Sequence, residues 1–528
     1  MHPYKIMAIA WVIVIIWIGV VIYSNRKVHP KALFLLFFAE FWERFSYYGM
    51  RALLVLYMVK SIDYTEKGAY GIYAAYGAMV YATPILGGLL ANRLCGYKKA
   101  ILWGGILMAA GHFAMAFEDL LFVALSLLIL GNGFFKPNIS SFIAEFYEKD
   151  DPRKDGAYTL FYMGINAGAF LTPLTCGAVG EISGWHYGFG LAGIGMLVGL
   201  VIFWYAGIKG IFEDKGGPTN PELLNGYNLT LFRHVDANGN YKGKTLLPIN
   251  NEWVMYLGSL LVVPLVVVLL KHNDTLDVLL GILGVGMLAY LIISGYRNGD
   301  REEGQRLYVI VTLLLFTTMF WTFFELAGSA VSLFTDRNVD REVMGTELPT
   351  STFQAINPLF IILLAPVFSV MWRVLRTKNL DPSSPVKFAI GLLLLGAGFM
   401  CFNLGASFAV DGMVPVIYLV LAYLLQTLGE LCLSPVGLSL VTKLAPARIV
   451  GFVMGIWFLS SSIAHQAGKH ISNMTASSDG VETGLLSAAE SLPVYASVFT
   501  DVGFVALGAG VLLLLLSPII KKWMHGIH

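Results

Sequence analysis

Between positions 40 and 51 ionisable and phenolic residues recur at helical spacing: Glu40, Glu43, Arg44, Tyr47, Tyr48 and Arg51. At 100° per residue they fall in one stripe about 140° wide. Leu33, Phe34, Leu53, Leu54 and Val55 keep the rest of the segment apolar. Two carboxylates one turn apart beside a guanidinium can bind and release a proton. An ordinary surface i,i+4 pair would not extend over three turns, so the stripe reads as the wall of a water-filled cavity. Lys136 in GNGFFKPNISSFIAEF, Glu325 in FWTFFELAGS and Glu430 in QTLGELCLSP stand in equally apolar surroundings. Each such charge costs roughly 2.5–3.5 kcal/mol in hydrocarbon and marks function by default. Lys136 also heads a Lys-Pro-Asn step, whose proline frees a helical carbonyl. Four carboxylates (Glu40, Glu43, Glu325, Glu430) face three bases (Arg44, Arg51, Lys136). One proton would neutralise the excess, and Glu40 and Glu43 are its expected carriers.

The surroundings of these charges define the class of protein. Of 528 residues 57% are hydrophobic and only 13% charged, against roughly 25% charged in soluble domains. Mean hydropathy is +0.69, and glycine (56 residues) and aromatics (13%) are abundant, as in membrane helices. That excludes a soluble multidomain enzyme and a disordered or disulfide-stapled chain. A net charge of +1 suggests no nucleic-acid partner. Cys95, Cys176, Cys401 and Cys432 lie far apart without a CxxC, so no metal site is expected.

Apolar runs predict fifteen membrane spans at 6–24, 32–59, 69–91, 100–117, 121–143, 158–179, 188–207, 252–270, 275–295, 307–335, 351–374, 385–408, 414–440, 450–472 and 494–519. The first is too long for a signal peptide, lacks a cleavage site and is followed by Arg26, Lys27 and Lys31, so it reads as an anchored helix. With the Arg26–Lys31 segment in the cytoplasm, about 25 basic residues fall inside and about 7 outside, which satisfies the positive-inside rule. The N-terminus is then outside and the C-terminus, with Lys521 and Lys522, inside. The polar stretch 208–251 carries a DANGN turn suited to a β-hairpin.

The expected fold is therefore all-α and polytopic: an extra helix with its linker (1–31), a six-helix lobe (32–207), a loop with two inserted spans (208–305) and a second six-helix lobe (306–528). Six plus six suits a two-lobed transporter with its site near the midplane. In such a repeat Arg51 and Glu325 lie on the first helices of the two halves, and Lys136 and Glu430 on the fourth. Opposite charges at symmetry-related positions predict two gating pairs, Arg51–Glu325 and Lys136–Glu430, as the bistable contacts of alternating access.

The segment AEFWERFSYYGMRA (39–52) resembles the ExxERFxYYG signature of the proton-coupled oligopeptide transporter family of the major facilitator superfamily. The resemblance continues through GGLLANRLCGYKK (87–99), GNGFFKPNIS (131–140), FYMGINAGA (161–169), FWTFFELAGS (320–329), FQAINPLF (353–360), LLQTLGELCLSPVGL (424–438) and GIWFLSSS (455–462). It implies a major facilitator fold and a proton-driven symporter of di- and tripeptides in a bacterial inner membrane, working as a monomer, with the proton as coupling ion and no cofactor. Glu40, Glu43, Arg44, Lys136 and Glu325 would couple the proton. Arg51 and Lys136 would hold the peptide carboxylate, and Glu430, Asn166 and Asn357 the amino group. Tyr47, Tyr48, Tyr81, Tyr162, Trp321, Ser434, Trp457, Phe458 and Ser461 would line the remaining pockets, where aromatic walls accept varied side chains. Asn92 stands where the loop motif usually has aspartate, and Leu326 where glutamine is common.

Other signals are weaker. Gly188-x-Gly190-x-x-Gly193 opens a span without a preceding strand, so it and Gly195-xxx-Gly199 read as helix packing. For His112 and His465 helix contact outweighs proton carriage. No HExxH or GxSxG supports hydrolysis. Two alternatives stay open: the same machine moving another small anion or zwitterion, such as nitrate or an amino-acid derivative, and a transport-inactive sensor.

Overall fold

Long apolar runs satisfy their backbone polar groups internally only as helices, and each predicted span is helical in the computed structural model. It describes residues 2–148, 151–217, 234–235, 241–242, 251–297, 300–343, 345–476 and 487–527. The first half comprises α1 (Pro3–Asn25), α2 (Lys31–Lys60), α3 (Glu66–Leu90), α4 (Gly96–Ala114), α5 (Leu121–Ala144), α6 (Lys154–Thr172), α7 (Ala178–Ser183) and α8 (Trp185–Ile208). Two further helices follow, α9 (Asn251–Lys271) and α10 (Asn273–Arg297). The second half comprises α11 (Arg301–Phe324), α12 (Ala330–Asn338), α13 (Ile356–Thr377), α14 (Ser384–Ala406), α15 (Val416–Leu444), α16 (Val450–Thr475) and α17 (Ala488–Trp523). Among the described residues ten helical stretches are long and apolar enough to cross a bilayer. The stretch of α2 is not among them, since it carries Glu40, Glu43, Arg44 and Arg51 within twelve residues.

Two predicted spans contain breaks. A π-helical turn, Pro173–Gly177, joins α6 to α7, and a 3-10 turn, Glu325–Gly328, joins α11 to α12. In the 208–251 stretch β1 (His234–Val235) pairs antiparallel with β2 (Tyr241–Lys242); the DANGN turn itself lies outside the described residues. A second two-residue pair, β3 (Val339–Asp340) with β4 (Val414–Pro415), is parallel.

The chain forms two compact units. One holds Met7–Met50 and Met79–His272; the other holds Met1–Ile6, Arg51–Ala78 and Asn273–His528. In the first, α1 lays Ala10, Val14 and Ile18 against Phe37, Phe41 and Phe45 of α2 and Ala167 and Leu171 of α6. Trp11 Nε1 donates to Thr175 Oγ1 at 2.9 Å. The other face of α1 exposes Ile9, Ile13, Ile16 and Val20, a surface suited to lipid. Gly195 and Gly199 let α8 approach α2: a Cβ on Gly195 would fall 2.8 Å from Phe45, and one on Gly199 2.9 Å from Trp42. The close-packing reading of these glycines thus has a concrete cause.

Reciprocal glycine contacts recur in both units. A Cβ on Gly104 of α4 would lie 2.6 Å from the Gly131 carbonyl of α5, and one on Gly131 equally close to the Gly104 carbonyl. In the other unit Gly391 of α14 and Gly429 of α15 do the same, at 3.0 and 2.6 Å. These contacts join α4 to α5 and α14 to α15.

Candidate functional site

In the first unit α2 turns its polar stripe inward. Glu40, Glu43 and Arg44 are 2%, 0% and 3% exposed. Arg44 Nε lies 3.1 Å from Glu40 Oε1 and 2.5 Å from Glu43 Oε2, so one guanidinium holds two carboxylates. Asn132 of α5 donates its amide to Glu43 Oε1 at 2.9 Å. Arg44 also lies over the Tyr47 ring, 5.2 Å from its centroid. Gly168 of α6 makes this closeness feasible, because a Cβ there would sit 2.4 Å from the Phe41 carbonyl.

Lys136 lies within α5 directly before Pro137. Pro137 cannot donate to the Gly133 carbonyl, and Gly87 of α3 packs so tightly on that carbonyl that a Cβ would lie 2.0 Å from it. The Lys136 ammonium sits 4.5 Å from the centroid of the Tyr81 ring and is within electrostatic reach of Glu40 and Glu43. In the same unit Asn166 donates to the Tyr162 carbonyl one turn back at 2.9 Å. Tyr162 itself is exposed and Tyr48 half-buried. His112 is fully buried and bonded to Ser46 Oγ, a helix contact.

In the second unit the break after α11 places Glu325 at the head of the 3-10 turn. Arg51 Nη2 reaches Glu325 Oε2 at 2.6 Å, with side chains 11% and 6% exposed. Glu430 of α15 accepts from Asn357 Nδ2 at 3.0 Å, and the same amide reaches Thr427 Oγ1 at 3.0 Å. Trp457 of α16 packs across Gly437, and Trp321 lies edge-on to Phe320 and Phe324. Ser434 and Ser461 are half-buried, and Phe458 is exposed. The structure thus brings together Glu40, Glu43, Arg44 and Lys136 in one unit, and Arg51 with Glu325, and Asn357 with Glu430, in the other. Lys136 belongs to the first unit and Glu430 to the second.

Several partners escape a reading of sequence alone. Asn132 lies one helical turn before Lys136, a spacing that puts both on one face of α5. Thr427 precedes Glu430 by three residues for the same reason. His465 Nε2 stands 4.0 Å from Glu325 Oε2, and Lys469, one turn further along α16, is buried. A lysine four residues after a histidine inside a span was the available signal.

Buried ion pairs on membrane helices are a transporter's furniture, and comparison with known proteins decides which transporter. The POT family model matches residues 98–489. The chain belongs to the POT family. It is 37% identical over 470 residues to peptide transporter YePEPT of Yersinia enterocolitica, covering 84% of this chain and 88% of that protein. It is 35% identical over 507 residues to the uncharacterized transporter YclF of Bacillus subtilis, covering 94% and 96%. A crystal structure of a peptide transporter POT in complex with sulfate matches with a TM-score of 0.78 at 37% identity, covering 94% of this chain and 96% of that one. A POT family transporter in complex with a thioalcohol conjugated peptide matches with a TM-score of 0.76 at 30% identity, covering 93% and 97%. This POT member is accordingly an all-α polytopic membrane transporter of the major facilitator type, not an enzyme. Among the described residues no group of three or more histidine, cysteine or acidic side chains stands where it could hold a metal ion.

Proposed function

We propose that this POT transporter imports di- and tripeptides together with protons by alternating access, across a bacterial inner membrane, with its N-terminus outside and its C-terminus in the cytoplasm. The observation that carries the reading is the buried Glu40–Arg44–Glu43 cluster on α2, tied to Asn132. Hydrocarbon tolerates such charges only in return for function, and two carboxylates sharing one guanidinium change their pairing when a proton binds. Glu40, Glu43, Arg44, Lys136 and Glu325 form the proton-coupling set. Arg51 and Lys136 take the peptide carboxylate; Glu430, braced by Asn357, takes the amino group with Asn166. The aromatic residues Tyr47, Tyr48, Tyr81, Tyr162, Trp321, Trp457 and Phe458, with Ser434 and Ser461, meet the side chains. A zwitterionic peptide of any sequence has fixed termini, so charged groups grip its ends while apolar area accepts the rest. The names of relatives, YePEPT and the dipeptide and tripeptide permease B of Salmonella typhimurium, support peptide as cargo.

The test is uptake into proteoliposomes. An inward proton gradient should accumulate a labelled dipeptide, and Glu40→Gln or Glu43→Gln should abolish that accumulation while sparing counterflow exchange. Unaltered driven uptake in both variants would refute the proton assignment. A competition panel of dipeptides, tripeptides and nitrate fixes the cargo, and displacement by nitrate alone would overturn the peptide reading.

A further inference from the structure

His465 of α16 belongs to none of the groups assigned above, yet it is 4% exposed and faces Glu325 at 4.0 Å. Its ring fits because residue 77 is glycine: a Cβ there would stand 2.5 Å from His465 Nδ1. A small cavity of about 10 Å³, room for about one water, is bounded by Glu325, His465, Tyr73, Ser329, Lys469 and Ser472. Its walls are polar, and Ser329 Oγ and Ser472 Oγ lie 2.9 Å apart. Tyr73 brings its hydroxyl over Gly328, into the place a Cβ would take.

Beyond the cavity the polar groups continue to the surface. Lys469, its side chain 2% exposed, pairs with Asp277 and with Asp274 Oδ1, the latter at 2.9 Å. It also donates to Asn273 Oδ1 at 3.2 Å. His470 Nε2 lies 3.3 Å from Asp277, and the Asp274 side chain is 96% exposed. His465, Lys469 and Ser472, at i, i+4 and i+7, place this series on one face of α16. The groups surrounding His465 are therefore Glu325 and its partner Arg51, Tyr70 and Tyr73 of α3, Asp274 and Asp277 of α10, and Lys469 and His470 of its own helix. All belong to the same compact unit.

We propose that His465 is a proton-relay residue, joining the surface-reaching Asp274–Asp277–Lys469 cluster to Glu325 through the small polar cavity. This rests on the proton-coupled reading above and adds to it a route of proton access on the inserted helix α10. One proton passes from solvent to the carboxylate–lysine cluster, from Lys469 to water in the cavity, from water to His465, and from the imidazolium to Glu325. Each carrier gives up one proton for the one it takes and returns to its starting state. Glu325 ends neutral and Arg51 loses its counter-charge. A 4.0 Å separation suits this role, because a contact beyond hydrogen-bond length closes through water or a small rotation. On the proposed topology the α9–α10 turn faces outward, the side from which driving protons come.

Two measurements on the full-length protein test the relay. In protein labelled at its histidine rings, the His465 magnetic resonance is assigned by its loss in His465→Asn. Glu325→Gln should move the pH at which that ring titrates by about one pH unit, as neutralising a charge at this distance does. An unmoved midpoint overturns the relay. In proteoliposomes, His465→Asn and Asp277→Asn should each lower proton-driven dipeptide uptake about tenfold or more and flatten its dependence on external pH. A profile superimposable on that of the unsubstituted protein for both variants overturns the proposal. If the unsubstituted protein accumulates no peptide under any proton gradient, the proposed function falls. The ring titration then decides the relay by itself.

Discussion

A buried ion pair is weak testimony to stability, because desolvation offsets most of its attraction. Arg51 and Glu325, at 2.6 Å and nearly out of solvent, therefore ask for another explanation than holding the fold. Removing one partner leaves the other charge uncompensated, at a cost of roughly 3–5 kcal/mol. Exchanging both should relieve that cost. Arg51→Glu and Glu325→Arg are each expected to abolish dipeptide uptake, and the double variant to recover more than the single losses allow. Strictly additive losses would show that the two groups do not act on each other. The types of these residues were legible in the sequence, since a charge in an apolar run is conspicuous. Their neighbours were not, because Asn132, Thr427 and Tyr73 are ordinary residues in membrane helices. Only the fold shows that each meets a carboxylate or a cavity.

Elements carry the next level. The spans were readable because hydrocarbon thickness fixes a run of about twenty apolar residues, and each predicted run is helical. The breaks inside two of them, at Pro173–Gly177 and Glu325–Gly328, were hidden because the flanking residues stay apolar and keep the hydropathy continuous. The α1–α2 linker shows how a polar element is tied down. His29 Nδ1 bonds the Tyr147 hydroxyl at 2.9 Å, Arg153 Nη1 donates to the Val28 carbonyl at 3.1 Å, and Asp151 forks onto Arg153. Burial, then the Arg153 charge, push the His29 ring below its ordinary value of 6.5. Bonds from Arg153 hold Asp151 down to about 2, and burial lifts Tyr147 to about 12. Within this cluster only His29 changes charge between pH 7.5 and about 5. A lowered histidine value means that docking is fully favoured above the unfolded value and weakens as pH falls through it toward the folded one. Amide exchange of residues 25–30, corrected for its intrinsic pH dependence, should therefore quicken at pH 5.5 relative to pH 7.5. His29→Gln should remove that difference; an equal difference in the variant would assign it elsewhere.

At the scale of the whole molecule the proposed proton coupling sets a limit on accumulation. The buried charges divide between the units. Glu40 and Glu43 face Arg44 and Lys136 in one, while Glu325 and Glu430 face Arg51 in the other. Of the charges given to coupling and cargo, the Glu325 set is thus one cation short, and one proton makes that set neutral. A proton carried with a zwitterionic peptide moves one net charge across the membrane. A potential of 100 mV supplies about 2.3 kcal/mol per charge, and a pH difference of one unit about 1.4 kcal/mol. For one proton per peptide these sum to about 3.7 kcal/mol, a ceiling of about 500-fold accumulation. Two protons would square that ceiling. Proteoliposomes held at those gradients should therefore stop accumulating a non-hydrolysable neutral dipeptide at or below about 500-fold, and an ionophore should release it. Accumulation well beyond that value would show that more than one proton moves with each peptide, the Glu40–Glu43 pair and Glu325 loading separate protons in each cycle. The limiting ratio thus discriminates between one proton and two carried with each peptide.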